Sequence, residues 1–146
     1  VECVPNFSTA DAAVVDALAH AIESAGGRIL DRTSDADHQR SVITFGGAPD
    51  FVLAAAVAAV GVARDRIDLR SHHGVHPRIG ATDVVPFVPL RGATLEDCAS
   101  LAWRAGHEIW RRYQIPVFFY EAAARQPKHR NLADVRRHPV DPDLGG

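Results

Sequence analysis

The chain lacks the features that mark a membrane protein or a nucleic-acid-binding protein. Its 146 residues carry a formal net charge of -2, so no overall field attracts nucleic acid or an acidic membrane. The longest apolar run, residues 51–63, is too short to cross a bilayer. The N-terminus has no basic region followed by an apolar run, so no signal peptide is predicted. We therefore expect no nucleic-acid partner, no membrane and a cytoplasmic location.

Cysteine is also scarce. The two cysteines, Cys3 and Cys98, lie far apart in apolar surroundings, which is typical of free buried thiols in a reducing compartment. With 47% hydrophobic residues, the chain is long enough for a single domain over residues 1–146. Residues 138–146 are rich in Pro, Asp and Gly and are predicted to form a frayed tail.

Hydrophobic spacing and breaker residues predict the element order β-α-β-β-α-β-β-α-β. The first helix is predicted to be capped by Ser8 or Thr9. The adjacent strand pair at residues 28–31 and 40–45 favours an α+β sandwich over a doubly wound parallel sheet. Our specific prediction is a ferredoxin-like arrangement, with one mixed, mostly antiparallel sheet and helices packed on one face.

Later segments give sharper local predictions. Residues 82–90 contain two prolines, which predict an edge, a bulge or irregular pairing. Residues 94–97, TLED, predict a capping box at the start of a long helix, with Asp in place of the usual Glu or Gln. Residues 67–69 and 116–120 are predicted to be strands.

The most informative segment is 71–80, SHHGVHPRIG, in which His72, His73 and His76 fall within five residues. A histidine has an unperturbed pKa of about 6.5, so it can exchange a proton near neutral pH. Several histidines together can also hold a metal. Pro77 favours an extended conformation at His76. The segment is therefore predicted to be a shaped functional site.

Four segments together resemble the formiminotransferases. Residues 1–8, VECVPNFS, are similar to the opening of that family, and residues 72–89, HHGVHPRIGATDVVPFVP, give the most specific match. Two weaker matches, at residues 35–42 and 116–123, agree and follow in the same order along the chain. The resemblance covers nearly the whole sequence.

The resemblance implies glutamate formimidoyltransferase chemistry. That family moves a formimino group from N-formiminoglutamate to N5 of tetrahydrofolate, its co-substrate, during histidine breakdown. Its transferase module has two ferredoxin-like halves with the substrate in the crevice between them, and this chain is similar to the N-terminal half. The implied partner is a C-terminal formiminotransferase half or a second copy of the chain. Three alternatives stay open: a fragment, one of two separate chains, or a solitary subdomain.

The resemblance places the catalytic acid/base histidine of the family at His76. One imidazole can take the proton from N5 and return it to the departing glutamate nitrogen, a contribution of roughly 10²–10⁴-fold. Arg78 is expected to bind a carboxylate, or alternatively to form a structural salt bridge. Neighbours in an extended segment point to opposite faces, so at most one of His72 and His73 faces the crevice with His76; His73 is retained as a substrate-binding candidate.

Asn6 and His38 complete the predicted site. The Asn6 amide is expected either to bind substrate or to cap the turn that follows. The loop containing Asp37 and His38 is expected to form a polar wall or to orient His76, or else to be a solvated turn. Asp83 is predicted to pair with Arg78 or with a nearby histidine.

The remaining polar candidate is a basic stretch near the C-terminus, and it is predicted to be a solvated face or a contact for an anionic folate tail. It consists of Arg125, Lys128, His129 and Arg130.

Two functions compete with formimino transfer. The histidines at 72, 73 and 76, with Asp37 or His38, include the ligand types that zinc uses, although their spacing fits no common zinc signature. Alternatively, a half-site without its partner is expected to act as a non-catalytic binding or assembly module with an exposed interaction face.

Overall fold

Two interrupted strands and one long hairpin build the sheet. The computed structural model describes residues 1–68 and 80–145. In chain order its strands and helices are β1 (Glu2–Cys3), β2 (Asn6–Phe7), α1 (Ala12–Ser24), β3 (Arg28–Asp35), β4 (Arg40–Gly46), α2 (Pro49–Arg66), β5 (Thr82–Val84), β6 (Phe87–Val88), α3 (Leu95–Tyr113) and α4 (Leu132–Arg137). Two short 3-10 turns, Glu121–Ala123 and Pro127–His129, lie between α3 and α4.

Strand β4 is the central strand of the sheet. It pairs with β3 on one side and with both β1 and β2 on the other, and β1 and β2 pair in turn with β6 and β5. Each of these pairings is antiparallel. The α+β class is therefore confirmed, with a curled antiparallel sheet in place of the mixed sheet that was expected.

The two prolines in residues 82–90 have the predicted effect. Pro86 separates β5, which pairs with β2, from β6, which pairs with β1. Proline cannot donate a ladder hydrogen bond, so it interrupts the strand at an edge position. The ladder is bridged there by the Val4 amide, which donates to the Pro86 carbonyl at 3.0 Å.

The main core lies between the sheet and helices α1 and α2. Side chains alternate along a strand, so β4 buries Ser41, Ile43 and Phe45 on one face. Helix α1 contributes Leu18 and Ile22, which are four residues apart and therefore on one side of the helix. Full burial of such side chains contributes roughly 1.5–3 kcal/mol each.

Helix α3 begins at the predicted capping box. The Thr94 side chain accepts from the Asp97 amide at 3.0 Å, and Asp97 accepts in return from the Thr94 amide at 2.9 Å. At the other end, the Tyr113 hydroxyl donates to the Val57 carbonyl of α2 at 3.0 Å. Gly61 leaves room for this contact, because a Cβ there would lie 2.5 Å from the Tyr113 hydroxyl oxygen.

Helix α1 starts later than predicted. Asp11 is the N-cap, and its carboxylate accepts from the amides of Ala13 and Val14. Ser8 and Thr9, the predicted caps, are buried instead. The Ser8 hydroxyl donates to the Gly80 carbonyl and the Thr9 hydroxyl accepts from the Asp11 amide, so the exposed Asp11 carboxylate caps the helix.

The predicted strand at 116–120 is wrong. In this segment only Val117 makes a bridge, to Leu144. The Phe119 amide donates to the Asp143 carboxylate at 2.8 Å instead of to a neighbouring strand. The same contacts hold Asp143 and Leu144 against the domain, so these residues differ from the frayed tail expected for 138–146. Ile67 and Asp68 are not in a strand, and Leu69 lies outside the described residues.

Over the two described ranges, none of the helices combines the length and the apolar character that crossing a membrane requires.

Candidate functional site

Four of the predicted site residues, His72, His73, His76 and Arg78, lie outside the described residues. The structure does show the contacts of Gly80, the last residue of the histidine segment 71–80. The Ser8 hydroxyl donates to the Gly80 carbonyl at 2.9 Å, and the Ser8 amide donates to the Ala81 carbonyl at 2.9 Å. Ser8 is only 2% exposed, so the chain after the histidine segment is tied to the end of β2 by two shielded hydrogen bonds.

Asn6 lies two residues before Ser8, at the start of β2. It pairs with Val42 of β4 and with Val84 of β5. The next residue, Phe7, is fully buried in the core, and consecutive side chains of a strand point to opposite faces. Asn6 therefore lies on the sheet face opposite the α1–α2 core, where its half-buried amide is accessible for hydrogen bonding.

His38 is in the turn between β3 and β4, at the same end of the sheet. Its Nδ1 lies 2.5 Å from the Asp35 carboxylate. Asp35 also accepts from the backbone amides of Asp37 and His38. The hydrogen bond from the His38 ring is the main reason that the pKa of Asp35 is lowered, and the amide donors act in the same direction.

Pairing across the sheet relates these positions to one another. Phe7 lies opposite both Ser41, just after the turn that carries His38, and Thr82, just after Gly80. The structure therefore brings Asn6, the His38–Asp35 pair and Gly80 to one end of the sheet. This end of the sheet therefore carries an amide, an imidazole and a carboxylate.

Asp83 pairs with Arg136 of α4 at 2.5 Å. The Asp83 side chain is 11% exposed, so the ion pair is largely shielded from solvent. The sequence prediction named Arg78 or a nearby histidine as its partner, and Arg78 and the histidines at 72, 73 and 76 lie outside the described residues; Arg136 was not foreseen. The two residues are 53 positions apart, and no local spacing signal could have linked them.

Tyr120 was also missed. It lies close to Asp83 and Arg136, and burial raises the pKa of its hydroxyl to about 12. Tyr120 therefore stays a neutral phenol under ordinary conditions. It lines a cavity of about 600 Å³ between α3 and the segments at 80–87 and 115–123.

The basic stretch is not a uniform solvated face. His129 is 1% exposed and contacts Asp143 and the Val140 carbonyl. Lys128 forms an ion pair with Asp141. The Arg125 guanidinium stacks over the Trp103 ring, 4.6 Å from its centroid. His129 thus contradicts the solvent-exposed prediction, because it holds the C-terminal residues in place.

The cysteines are free and buried, as predicted. Burial raises the pKa values of both thiols, so they are poor nucleophiles. Across residues 1–68 and 80–145, no three His, Cys, Asp or Glu side chains are grouped in a way that could hold a metal ion.

Comparison with known proteins matches residues 1–142 to the model of the formiminotransferase domain, N-terminal subdomain. The chain is 44% identical over 139 residues to a glutamate formimidoyltransferase of Streptococcus pyogenes serotype M1, covering 94% of this chain and 46% of that protein. A glutamate formimidoyltransferase of Thermoplasma acidophilum is 43% identical over 138 residues, with coverage of 93% and 46%. A formimidoyltransferase-cyclodeaminase of Rattus norvegicus is 39% identical over 138 residues, or 26% of its length. The chain spans less than half the length of these relatives.

Proposed function

This chain belongs to the formiminotransferase family as its N-terminal subdomain, and from that membership we propose that it forms one half of a glutamate formimidoyltransferase site. The proposed reaction transfers a formimino group from N-formiminoglutamate to N5 of the co-substrate tetrahydrofolate. The observation that carries the proposal is the match over residues 1–142, which includes the histidine segment together with α2 before it and β5 after it.

His76 is the proposed acid/base group. The N5 lone pair attacks the amidine carbon and forms a new C–N bond while His76 takes the N5 proton. The tetrahedral intermediate then collapses, the bond from carbon to the glutamate nitrogen breaks, and His76 returns the proton to that nitrogen. Arg78 is the proposed carboxylate ligand, since its planar guanidinium suits bidentate binding.

Three further groups are proposed to contact or orient the substrates: Asn6, His38 and His73. The support for Asn6 and His38 is their position beside Gly80, at the end of the sheet where the histidine segment joins it. Asp35 holds the His38 ring in place, with its carboxylate 2.5 Å from Nδ1. A ring fixed in this way leaves its other nitrogen able to make a hydrogen bond.

The partner is proposed to be a C-terminal formiminotransferase half or a second copy of this chain, with the substrates between the two. The proposed arrangement of each half is ferredoxin-like. Its support is the strand order. When β1 and β2 are counted as the first strand, β3 as the second, β4 as the third, and β5 and β6 as the fourth, the order across the sheet is fourth, first, third, second. We also propose a cytoplasmic location, supported by the two unpaired buried thiols.

The test is turnover by the chain alone and with a separately produced C-terminal half. Mass spectrometry would follow 5-formiminotetrahydrofolate. We expect His76→Ala to lower the rate by roughly 10²–10⁴-fold, and the matched control His20→Ala, at an exposed position of α1, to leave it unchanged. Absence of product with and without the partner half would reject the transferase proposal in favour of a non-catalytic module. Equal rates for His76→Ala and His20→Ala would reject the role of His76.

A further inference from the structure

Ser8 fastens the last residue of the histidine segment to the sheet. Its hydroxyl donates to the Gly80 carbonyl at 2.9 Å, and its amide donates to the Ala81 carbonyl at 2.9 Å. Ser8 is only 2% exposed, so water has little access to its hydroxyl, and a shielded hydrogen bond is stronger than one in water. The hydroxyl bond joins residues 72 positions apart. Two consecutive carbonyl groups of the chain are therefore held by one residue of the N-terminal strand region.

The residues on either side of Ser8 are themselves fixed. Phe7 is fully buried in the main core and pairs with Ser41 of β4. The Thr9 carbonyl accepts from the buried Ser41 hydroxyl at 2.6 Å. Because β4 holds both neighbours, Ser8 cannot follow a shift of Gly80, and its hydroxyl is a fixed point for the chain at that residue.

This fixed point is close in sequence to the proposed acid/base group. His76 is four residues before Gly80, and Pro77 lies between them. The proline ring restricts one backbone dihedral of this short connection. Proton transfer requires the imidazole nitrogen to lie within hydrogen-bond reach of the reacting nitrogen, and a misplacement of about 1 Å can cost about 10²-fold in rate. The attachment at Gly80 is thus well placed to control the reaction rate.

We propose that Ser8 is a positioning residue for formimino transfer, which holds Gly80 so that His76 meets the substrate in a reactive position. The proposal rests on the proposed transferase function and goes beyond it, because Ser8 acts through the backbone of residues 80–81 and takes no part in proton transfer. Its hydroxyl is needed as a hydrogen-bond donor. A cysteine thiol is of similar size but donates weakly, so it should replace the hydroxyl only in part.

The test compares Ser8→Ala with Tyr113→Phe, each combined with a separately produced C-terminal half. Tyr113→Phe is the matched control, since it also removes one hydroxyl bond to a backbone carbonyl, that of Val57 at 3.0 Å, but between α3 and α2. Both variants should lose similar stability. With both substrates saturating, we expect Ser8→Ala to lower kcat by about tenfold or more, because excess substrate restores binding but not the position of His76. Tyr113→Phe should leave kcat unchanged, and Ser8→Cys should fall between the parent chain and Ser8→Ala.

Hydrogen exchange gives a second readout that does not depend on turnover. Relative to the intrinsic rate of each sequence, the amide at position 8 should exchange about 2- to 10-fold faster in Ser8→Ala, the range of one neutral hydrogen bond. It should exchange at the parent rate in Tyr113→Phe. Circular dichroism would establish that each variant is folded, and Ser8→Cys replaces Ser8→Ala if the alanine variant does not fold.

The possible failures are distinguishable. Turnover by the parent chain with equal kcat for Ser8→Ala and Tyr113→Phe would overturn the positioning role and leave the transferase proposal standing. No turnover by the parent chain with the partner half would overturn both. A lower kcat in Ser8→Ala without faster exchange at position 8 would also overturn the positioning role, since the loss would not come from release of residues 80–81.

Discussion

Alanine at Gly27 would introduce a methyl group at the junction of α1, β4 and α2. A Cβ at this position would lie 2.8 Å from Ile22 Cγ2, 3.0 Å from Ala55 Cβ and 3.1 Å from Phe45 Cδ2. These three neighbours are fully buried and come from three different elements. Ala55 presents its Cβ, which moves only with the backbone of α2, so the added methyl group cannot be accommodated by one side-chain rotation.

The expected magnitude follows from two opposing effects. Overpacking a filled core costs about 1–3 kcal/mol. Replacing glycine by alanine also restricts the unfolded chain, which stabilises the folded state by about 0.4–1 kcal/mol. We therefore expect Gly27→Ala to lower the free energy of unfolding by about 1–2 kcal/mol.

Urea denaturation followed by circular dichroism would measure this change as a lower midpoint with an unchanged slope. The control is Gly46→Ala, on β4. There the added Cβ would lie 3.3 Å from the Val1 carbonyl oxygen and 3.4 Å from Cδ1 of Leu30, which is 53% exposed and able to move. We expect Gly46→Ala to change stability by less than about 0.5 kcal/mol.

A second substitution isolates the contact itself. Ile22→Leu removes the Cγ2 methyl group that lies nearest to the added Cβ, so it should recover part of the loss caused by Gly27→Ala. The double-mutant cycle should then show favourable coupling between the two substitutions. Equal stability of Gly27→Ala and Gly46→Ala would refute the packing argument, and so would strictly additive effects in the cycle.

Three further predictions concern single groups. Ser8→Ala should lower the free energy of unfolding by about 1 kcal/mol in urea denaturation, since it removes the buried hydrogen bond to the Gly80 carbonyl. His38→Ala should raise the pKa of Asp35 toward its ordinary value in an NMR titration, because the ring supplies the main hydrogen bond that lowers it. The native-state thiol of Cys3 should react with a disulfide reagent only as fast as the domain opens, because burial raises its pKa and excludes the reagent.

Each of these has its own contrary result. A Ser24→Ala control, at an exposed helix position, should be neutral, and a loss equal to that of Ser8→Ala would remove the argument from burial. The contribution of Asp35 is present above its unfolded pKa and disappears as the pH falls through its lower folded pKa. A stability difference between the parent chain and His38→Ala that grows as the pH falls would contradict the assignment. Rapid modification of Cys3 in the folded chain would contradict its burial.

Local rules predicted the elements whose determinants lie close together in sequence. The Thr94–Asp97 capping box needs two residues three positions apart, and it formed as expected. The interruption at Pro86 follows from the missing proline N–H alone. The adjacent strand pair predicted at residues 28–31 and 40–45 formed as β3 and β4, although β3 extends to Asp35 and pairs along its whole length with β4.

Predictions failed where a residue had a choice of distant partners. Ser8 and Thr9 are good capping residues, but the Ser8 hydroxyl donates to the distant Gly80 carbonyl and the Thr9 hydroxyl accepts from the Asp11 amide, and Asp11 caps the helix instead. Residues 116–120 have strand composition, yet the Phe119 amide binds Asp143. The candidate site shows the same division, since Asn6 and His38 could be named from local sequence and Tyr120 could not.

By itself, the sequence determined which residues can carry chemistry, where the helices and the hairpin form, and to which family the chain belongs. Those properties depend on side-chain type and on spacing over a few residues. Only the tertiary structure decided that Asp83 pairs with Arg136 and that His129 is buried against Asp143. Such contacts join residues far apart in the chain, and their energies depend on burial, which exists only after the elements have packed.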